Sequence, residues 1–496
     1  MREQKGEITV FLSLVLVILI SVLFSVIEAA RINAVQFQTE CVADMALQSA
    51  LAEYNRELLE QYDLFFIETG YGTEQSGYLL LEQHIEDYMK QNFQIEDGFG
   101  MEKVRDLLML YPESVAVQRA SGAADHGGEV LERKAVDHML FKYGLSELTG
   151  IGTEIDLAQE KGLLGDMMQK KRQQNESAID DVDTTVTDKE GKTKKIPINN
   201  PADAVNRKRG SSGILKLVTD GAEISQTEIS LQEYFSFDGY EEKDGFLLGE
   251  TAVTNVEDLI FQRYLMEKCG NYTKKKEGSL LAYEMEYILA GKASDYENLR
   301  AVVNRLLTIR ETANFLYLMS DSGKQAEAEA LALTLSAVIL FPELKDLIKL
   351  SILIAWSYAE SVNDVRILLS GGKVPLWKEA DSWKLGLENA LKLELGSGGA
   401  VPGMTASGGG AVSGTVTASG EKGLSYEIYL HLLLAVMEKK ERNQRFLDVI
   451  EMDVRQTEGN ENFQINRCLH AFEAEIITAS RKGHSCLIKR VVGYQK

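Results

Sequence analysis

The chain has 496 residues, and 75 acidic side chains against 53 basic ones give it a formal net charge of −22. This charge argues against nucleic-acid binding, which requires clustered Lys and Arg side chains, and we expect no nucleic-acid partner. Hydrophobic residues make up 45% of the chain, which is typical of a globular protein. The four cysteines, Cys41, Cys269, Cys468 and Cys486, are too few for a disulfide framework, and their pairing stays open.

Residues 8–27 are an uncharged apolar run that is long enough to cross the hydrocarbon core of a bilayer. The hydroxyl side chains inside this run can donate to helical carbonyls, so the segment can keep its backbone satisfied in lipid. Arg2 and Lys5 precede the run, and an acid-rich stretch follows it. The positive-inside rule therefore predicts a cytoplasmic leader over residues 1–7, one transmembrane helix over 8–27, and an extracellular remainder.

A cleaved secretory signal is the alternative for this N-terminal segment. Signal cores usually run about 7–15 residues and end at a small-x-small site. The tripeptides at 27–29 and 28–30 both lack the small residue at their first position, because Ile27 and Glu28 stand there. The sequence thus favours a retained anchor in the cell membrane.

The helical pattern continues beyond the apolar run. Small and apolar residues recur at spacings of three, four and seven, and no Gly or Pro occurs between residue 32 and Gly70. We expect one helix of roughly 80 Å from residue 7 to about residue 60, with residues 28–60 as a stalk. Its apolar face suits either packing on its own domain or assembly with helices of other subunits.

The N-terminal motif resembles a known group of proteins. A short basic leader ends in Lys5-Gly6, an apolar helix follows, and the segment Glu28-Ala29-Ala30-Arg31 leads into QTECVADMALQSALAEY at residues 38–54. This layout resembles the accessory pseudopilins of Tad/Flp-type pilus systems. The same N-terminal motif is also similar to an uncharacterised family of large surface proteins of anaerobic Gram-positive bacteria.

The resemblance implies membrane-anchored assembly, in which the N-terminal helix bundles against pilin or other pilus and secretion subunits. Prepilin processing in such families cuts after a Gly, which places a possible leader cleavage between Gly6 and Glu7. The resemblance also implies an acid five residues after the cut, but Phe11 occupies that position here. We therefore expect a mature chain that still begins at or near Met1.

The remaining chain predicts an α+β fold that is predominantly helical. We expect the first part of an α+β ectodomain over 61–169, a polar disordered loop over 170–213 and a helical region over 214–395. A Gly/Ser-rich flexible loop over 396–423 then precedes a helix and a C-terminal β-hairpin over 424–496. The hairpin is predicted to join strands near Leu64 and Val115 in one small antiparallel sheet.

Several signals refine the helical region. Thr254 to Glu257 and Ser294 to Glu297 both fit a capping box at a helix start. Helices are also expected over 324–341, 343–369 and 377–395. The apolar runs 330–341 and 347–358 are each short and flanked by charges, so buried core helices are favoured over a second membrane insertion.

Candidate chemistry is sparse. Cys468, His470, His484 and Cys486 are metal-ligand types, but the predicted hairpin places His470 far from His484 and on the covered face of a strand. Glu473 and Glu475 form an i, i+2 pair that is typical of a solvated strand face and not of a glycosidase. We expect no catalytic, cofactor-binding or metal site and no enzyme activity.

The sequence thus predicts a single-pass, membrane-anchored extracellular structural or assembly protein. Residues 8–27 would anchor it, and residues 32–58 would contact other subunits. A membrane-tethered module that binds or senses cell-wall or host ligands is the alternative. An exported hydrolase lacks any supporting nucleophile or metal constellation in the sequence.

Overall fold

The structure is a computed structural model that describes residues 4–93, 108–144, 149–182, 184–187, 193–195, 200, 202–203, 205, 209, 213–236, 254–339, 341, 344–391, 423–481 and 483–494. The fold is α+β and predominantly helical, which confirms the predicted class. The helices are α1 (Gln4–Leu51), α2 (Arg56–Tyr62), α3 (Leu79–Phe93), α4 (Asp125–Tyr143), α5 (Thr149–Glu160), α6 (Met167–Asp180), α7 (Ile214–Val218), α8 (Asn255–Lys268), α9 (Glu284–Ala290), α10 (Asp295–Ser320), α11 (Ser322–Ile339), α12 (Lys345–Leu369), α13 (Leu387–Leu391), α14 (Tyr426–Leu434) and α15 (Lys439–Val454). The strands are β1 (Ile67–Glu68), β2 (Leu110–Gly122), β3 (Thr185–Thr187), β4 (Thr193–Lys195), β5 (Cys468–Ser480) and β6 (Ser485–Gly493).

The chain divides into two compact units. Unit 1 comprises residues 1–138, 239–253 and 454–496, and unit 2 comprises residues 139–238 and 254–453. Unit 1 is therefore assembled from both ends of the chain.

The sheet of unit 1 is antiparallel, and β5 is its central strand. Strand β2 pairs along one edge of β5, while β1 and β6 pair with successive parts of the other edge. Val115 lies opposite Ile476, and Ile67 lies opposite Leu469. The predicted union of the C-terminal hairpin with strands near residues 64 and 115 is confirmed.

The core of unit 1 forms where α1 and α3 cover this sheet. The second half of α1 contributes apolar side chains from one face, and α3 contributes Leu81, Ile85 and Met89. Buried side chains of β5, such as Phe472 and Ile476, meet them. The period-2 pattern of β5 and the helical period of α1 thus bury their apolar faces against each other.

The stalk helix predicted over 28–60 was wrong in its end. Helix α1 ends at Leu51, because Asn55 starts the separate helix α2 and its side-chain oxygen accepts a hydrogen bond from the Leu58 amide (3.1 Å). In addition, one face of α1 from Val35 onward is buried in the core of unit 1. Packing on its own domain was one of the two alternatives predicted for this helix, and the structure agrees with it.

The carboxylate of Glu53 fixes the end of α1. It accepts hydrogen bonds from the Tyr71 hydroxyl (2.8 Å) and the Tyr88 hydroxyl (2.6 Å), and the His84 ring nitrogen Nδ1 lies 2.9 Å away. These partners come from α3 and from the loop before it. A helix continued through Glu53 would lose this arrangement, which gives a tertiary reason for the early end.

Unit 2 is built around α12. Both apolar and polar side chains of this helix are buried from Ser351 to Val365, and it packs against α10 and α11. Its burial supports a core helix over 347–358, as predicted. Helix α8 begins with the complete capping box of Thr254 and Glu257, and Ser294 accepts a hydrogen bond from the Glu297 amide at the start of α10.

The polar loop predicted over 170–213 was wrong for its first part. Helix α6 continues to Asp180, and Met168, Asn175 and Ile179 are buried along it. The Asn175 side chain donates to the Ser351 hydroxyl of α12 at 2.6 Å. Because this segment contains few apolar residues, its sequence did not indicate that one narrow face of α6 is buried. Strands β3 and β4 also pair within the segment.

The helix predicted over 377–395 was wrong, because only α13 at Leu387–Leu391 is helical among its described residues. The preceding loop binds a buried charge network. Arg310 donates to the Asp364 carboxylate (3.0 Å), to the carbonyls of Pro375 and Leu376 (2.9 Å each) and to the Tyr429 hydroxyl (2.9 Å). These contacts hold the loop in a non-helical course. The predicted flexible loop over 396–423 lies almost wholly outside the described residues.

The central strand of unit 1 yields the first testable expectation. Phe472 is fully buried, so Phe472→Ala should lower the free energy of unfolding of unit 1 by about 3–5 kcal/mol. Leu487 is 56% exposed on β6, and Leu487→Ala should change it by less than about 0.5 kcal/mol. Cys468 is buried, so its labelling as a function of urea concentration measures the unfolding of unit 1. The fluorescence of the three Trp residues reports the unfolding of unit 2. Equal effects of the two variants would contradict the described packing.

Candidate functional site

The candidate site is the apolar first half of α1. Its most apolar window of 18 residues is 0% buried, and large apolar side chains from Ile8 to Ile27 are exposed around the whole helix. The hydroxyls of Ser13, Ser21 and Ser25 donate to the carbonyls of Val10, Ile18 and Ser21, as predicted. Within the described part of the chain, this helix alone is long and apolar enough to cross a membrane, and signal sequences share that length and composition.

The segment that follows is held by the C-terminal hairpin. Glu28 Oε1 lies 2.5 Å from the ring nitrogen Nε2 of His484, in the turn region between β5 and β6. Further along α1, Thr39 hydrogen-bonds Thr478 at 3.1 Å, and Asp44 pairs with Arg490 at 3.2 Å. The hairpin therefore lines α1 from the end of the apolar run to Leu51, whose carbonyl accepts from the Tyr494 hydroxyl (2.6 Å).

The opposite face of α1 carries an apolar stripe. Phe37, Cys41 and Met45 lie at positions i, i+4 and i+8, and all three are exposed, Phe37 by 70%. We refer to these three residues as the outer stripe. Residues 32–58 are the predicted contact surface for other subunits. Within this range, the structure leaves the outer stripe exposed.

The possible cleavage position lies near the start of α1. Helix α1 begins at Gln4, so Gly6 and Glu7 are both inside it. A helical backbone at this position does not distinguish cleavage from retention of the leader, so processing between Gly6 and Glu7 stays a prediction.

The metal-type residues of the hairpin are not brought together into a ligand set. Among the residues that the structure describes, no group of three or more His, Cys, Asp or Glu side chains could hold a metal ion. Cys468 and His470 are buried on β5, Cys486 lies opposite Thr478, and His484 pairs with Glu28. All four cysteines are free thiols. A turn centred near Arg481 predicts His470 opposite Gly493, but Ala471 lies there, so this register was wrong by one residue.

The paired glutamates of β5 lie on its less buried face. Glu473 forms an ion pair with Arg119 (2.7 Å), and Glu475 forms one with Lys489 (2.6 Å). Each carboxylate faces a basic residue of a neighbouring strand, which is an ordinary cross-strand arrangement. The two carboxylates therefore do not face each other across a substrate space.

Unit 2 contains a cleft of about 370 Å³, which is within the size range of small-molecule sites. Its walls include the apolar side chains of Leu289, Ile309 and Leu433, and Arg305 and Glu441 stand among its polar lining. Arg305 donates to the Leu289 carbonyl at 3.1 Å. The arrangement can hold an apolar group with a polar end.

Neither the cleft nor the outer stripe was predicted from the sequence. The cleft draws residues from four segments of the chain, 163–165, 289, 305–309 and 433–441, so no local pattern marks it. The outer stripe had a usable signal, because Phe37, Cys41 and Met45 follow the i, i+4, i+8 spacing on the face opposite the small residues.

The fold defines a chain with one apolar N-terminal helix that continues directly into the core of an α+β unit, followed by a helical unit. A family described as "Family of unknown function (DUF5702)" matches residues 190–480, more than half of the chain. The chain belongs to this family. The matched region includes α7 to α15 and strand β5, and it does not include α1. Neither a curated protein nor a solved structure matches the chain.

The buried ring of His470 gives a pH expectation for unit 1. Burial, with a smaller effect from the charge of Lys134, lowers the pKa of His470 to about 3. An unfolded His titrates near pH 6.5, so between these values the unfolded state binds more protons. The stability from this residue is present above about pH 6.5 and is lost as the pH falls, by up to roughly 1.4 kcal/mol per pH unit.

Urea titrations of Cys468 labelling at pH values from 7 to 4 measure this dependence. His470→Leu should flatten the slope relative to the parent protein, while Phe472→Leu should lower stability and keep the slope. Parallel pH curves for the parent and His470→Leu would show that this ring does not titrate on unfolding.

Proposed function

We propose that the protein is a single-pass, membrane-anchored extracellular assembly protein, and that it serves as a pseudopilin-like accessory component of a Tad/Flp-type pilus or secretion system. The apolar half of α1 inserts in the membrane, with the leader in the cytoplasm and both units outside the cell. The outer stripe contacts the helices of neighbouring subunits.

The observation that carries this proposal is the change in the surroundings of α1 along its length. From Ile8 to Ile27 the helix exposes apolar side chains in every direction, which costs free energy in water and is favourable in lipid. From Val35 onward only one face is covered by unit 1. Because one helix continues through both parts, the anchor is rigidly joined to unit 1.

The assembly part of the proposal rests on the outer stripe. Exposed Phe37 and Met45 flank the small side chain of Cys41, so another helix can approach α1 closely at this point. The stripe begins about two turns beyond Glu28 and is therefore close to the membrane. Its position agrees with the helix bundling that the N-terminal resemblance implies.

The cleft of unit 2 favours a second function, namely recognition of a ligand by a tethered module. Its apolar walls and polar edge suit a small amphipathic group. Purification from solubilised membranes separates the two functions. Co-purifying pilin or assembly ATPase subunits support assembly, and an isolated protein that binds cell-wall fragments supports recognition.

A charge placed in the apolar run tests the anchor. Leu16→Arg and Leu19→Arg together should move most of the protein out of the membrane fraction, because Arg costs about 2.5–3.5 kcal/mol at the centre of a spanning helix. Val491→Arg, at an exposed apolar position on β6, is the matched control and should leave membrane association unchanged. Fractionation after a high-salt wash provides the measurement.

N-terminal sequencing of the membrane-bound protein completes this test. We expect residues 8–27 to be retained. A mature chain that starts near Ala30 would reject the anchor, and one that starts at Glu7 would establish the cleavage after Gly6.

Site-specific photo-crosslinking tests the outer stripe. A photoreactive residue at Phe37 should give crosslinks to another subunit in intact cells, because this side chain is 70% exposed on the proposed contact face. The same residue at Leu487, exposed on β6 outside the stripe, should give at least about fivefold fewer, in line with the concentration of binding energy in few interface positions. Equal crosslinking at both positions would reject the stripe as a specific contact.

A further inference from the structure

Strand β6 runs alongside α1, so one end of unit 1 lies next to the apolar run. Just before β6, His484 Nε2 is 2.5 Å from Glu28 Oε1, and just after it the Tyr494 hydroxyl donates to the Leu51 carbonyl (2.6 Å). From Glu28 to Leu51, α1 rises roughly 34 Å at 1.5 Å per residue. An extended chain from His484 to Tyr494 covers roughly 33 Å at 3.3 Å per residue. These equal lengths mean that β6 is nearly parallel to α1 and that its first residues are the ones beside Ile27.

The start of β2 lies at this same end of the sheet. Leu110 is paired with Ser480, and the Ser480 hydroxyl donates to the Leu108 carbonyl. The Arg481 amide donates to the Met109 carbonyl (3.2 Å). The turn after β5 and the first residues of β2 therefore form one edge of unit 1, next to the end of the apolar run.

The side chains of this edge are apolar, aromatic and basic. Met109 is 41% exposed and Tyr111 is 44% exposed. Arg481 is exposed in the turn. On α1, the Arg31 side chain is 22% exposed, and its guanidinium forms a long ion pair with Glu28 (3.8 Å). We refer to Arg31, Met109, Tyr111 and Arg481 as the membrane-proximal edge.

We propose that the membrane-proximal edge rests on the bilayer surface, with Met109 and Tyr111 among the phospholipid headgroups and with Arg31 and Arg481 paired with headgroup phosphates. The inference depends on the anchor proposed above and adds a second contact between the protein and the membrane. Through this contact the bilayer would bind unit 1 itself and would fix the tilt of α1.

The heights of these residues above the apolar run fit the headgroup layer. This layer is roughly 5–7 Å thick on each side of the hydrocarbon core. Arg31 lies roughly 6 Å beyond the end of the apolar run along α1. Tyr111 and Ser485 both lie opposite Ala479, on its two sides. Ser485 follows His484 directly, so the row of Tyr111 is roughly 3 Å above the contact between α1 and the hairpin.

The chemistry of the edge suits a lipid surface. Tyrosine is enriched at membrane interfaces because its ring is apolar and its hydroxyl is polar. The planar guanidinium of arginine matches phosphate oxygens in geometry and charge. The next acid along β2, Glu113, follows two residues after Tyr111 and is further from the apolar run. Because α1 is unbroken, the edge is held at this height whether or not another subunit is present.

Spin labelling of the full-length protein in vesicles tests the proposal. The vesicles contain equal amounts of phosphatidylcholine and phosphatidylglycerol, and Cys41→Ser with Cys486→Ser removes the thiols that are not buried. A nitroxide on Met109→Cys should be several times less accessible to a water-soluble nickel chelate than one on Val491→Cys. Val491 is 47% exposed and lies roughly 23 Å from His484 along β6. Equal accessibility at the two positions would overturn the proposal.

A label on Val17→Cys, within the apolar run, separates failure of this inference from failure of the anchor. Oxygen should reach this label, and the nickel chelate should not. If the Val17 label lies in lipid while the Met109 label is as accessible as that on Val491, the anchor stands and the contact of unit 1 with the bilayer is rejected. If the nickel chelate reaches the Val17 label, the anchor is wrong and the edge contact is rejected with it.

Charge reversal tests the pairing with phosphate. Arg481→Glu should raise the accessibility of the Met109 label towards that of the Val491 label, because a carboxylate is repelled by headgroup phosphates. Arg56→Glu is the matched control, at a side chain that is 82% exposed beyond the other end of α1, and it should leave the Met109 label unchanged. Protection of buried Cys468 from a thiol reagent shows that unit 1 is folded in each variant. An unchanged Met109 label in Arg481→Glu would contradict the phosphate contact.

Discussion

The structure depends on a single unbroken hydrogen-bonded helix that must satisfy two different surroundings. In its first half α1 presents apolar side chains on all sides, and the intrahelical bonds leave no backbone group that needs water. In its second half the same helix buries one face in the core of unit 1. The change occurs near Glu28, whose carboxyl group contacts His484 of the C-terminal hairpin. Because the backbone continues across this point, the orientation of the first half fixes that of unit 1.

Unit 2 is organised by buried charges that are balanced by close partners. Arg310 and Asp364 are both fully buried, and the guanidinium also binds two loop carbonyls. Removing either charge would leave its partner unpaired in surroundings of low polarity, at a cost of several kcal/mol. This dependence explains why the loop after α12 follows a fixed course without regular secondary structure. The network thereby holds α10, α12 and the loop in one specific arrangement.

The sequence was sufficient to predict features whose interacting residues lie close together in the chain. The capping box at Thr254, the helix over 345–369 and the hairpin near Arg481 follow from spacing and turn chemistry. The pairing of β2 with β5 also followed, because both runs alternate and few other strands were available. The outer stripe could also have been predicted, because its three residues follow helical spacing.

The remaining features depend on contacts between distant parts of the chain. Helix α1 ends early because Glu53 binds the Tyr71 and Tyr88 hydroxyls from later in the chain, and the local sequence offers only the N-cap residue Asn55 as a sign of the break. The segment 377–386 has a helical composition, but Lys378 is drawn to Glu360 and Asp364 of α12. The Lys276 side chain donates to Asp453, 177 residues further along the chain, and nothing in the sequence indicates this contact.

The position of β5 has a consequence for biosynthesis. Strand β2 ends at Gly122, yet its partner begins only at Cys468. Until β5 has been synthesised, β2 lacks this partner strand, and the apolar faces of α1 and α3 lack the cover that β5 provides. A product of premature termination would keep its N-terminal segment but never acquire the central strand. Proteases that recognise unfolded polypeptide would therefore distinguish copies that contain β5 from copies interrupted before Cys468.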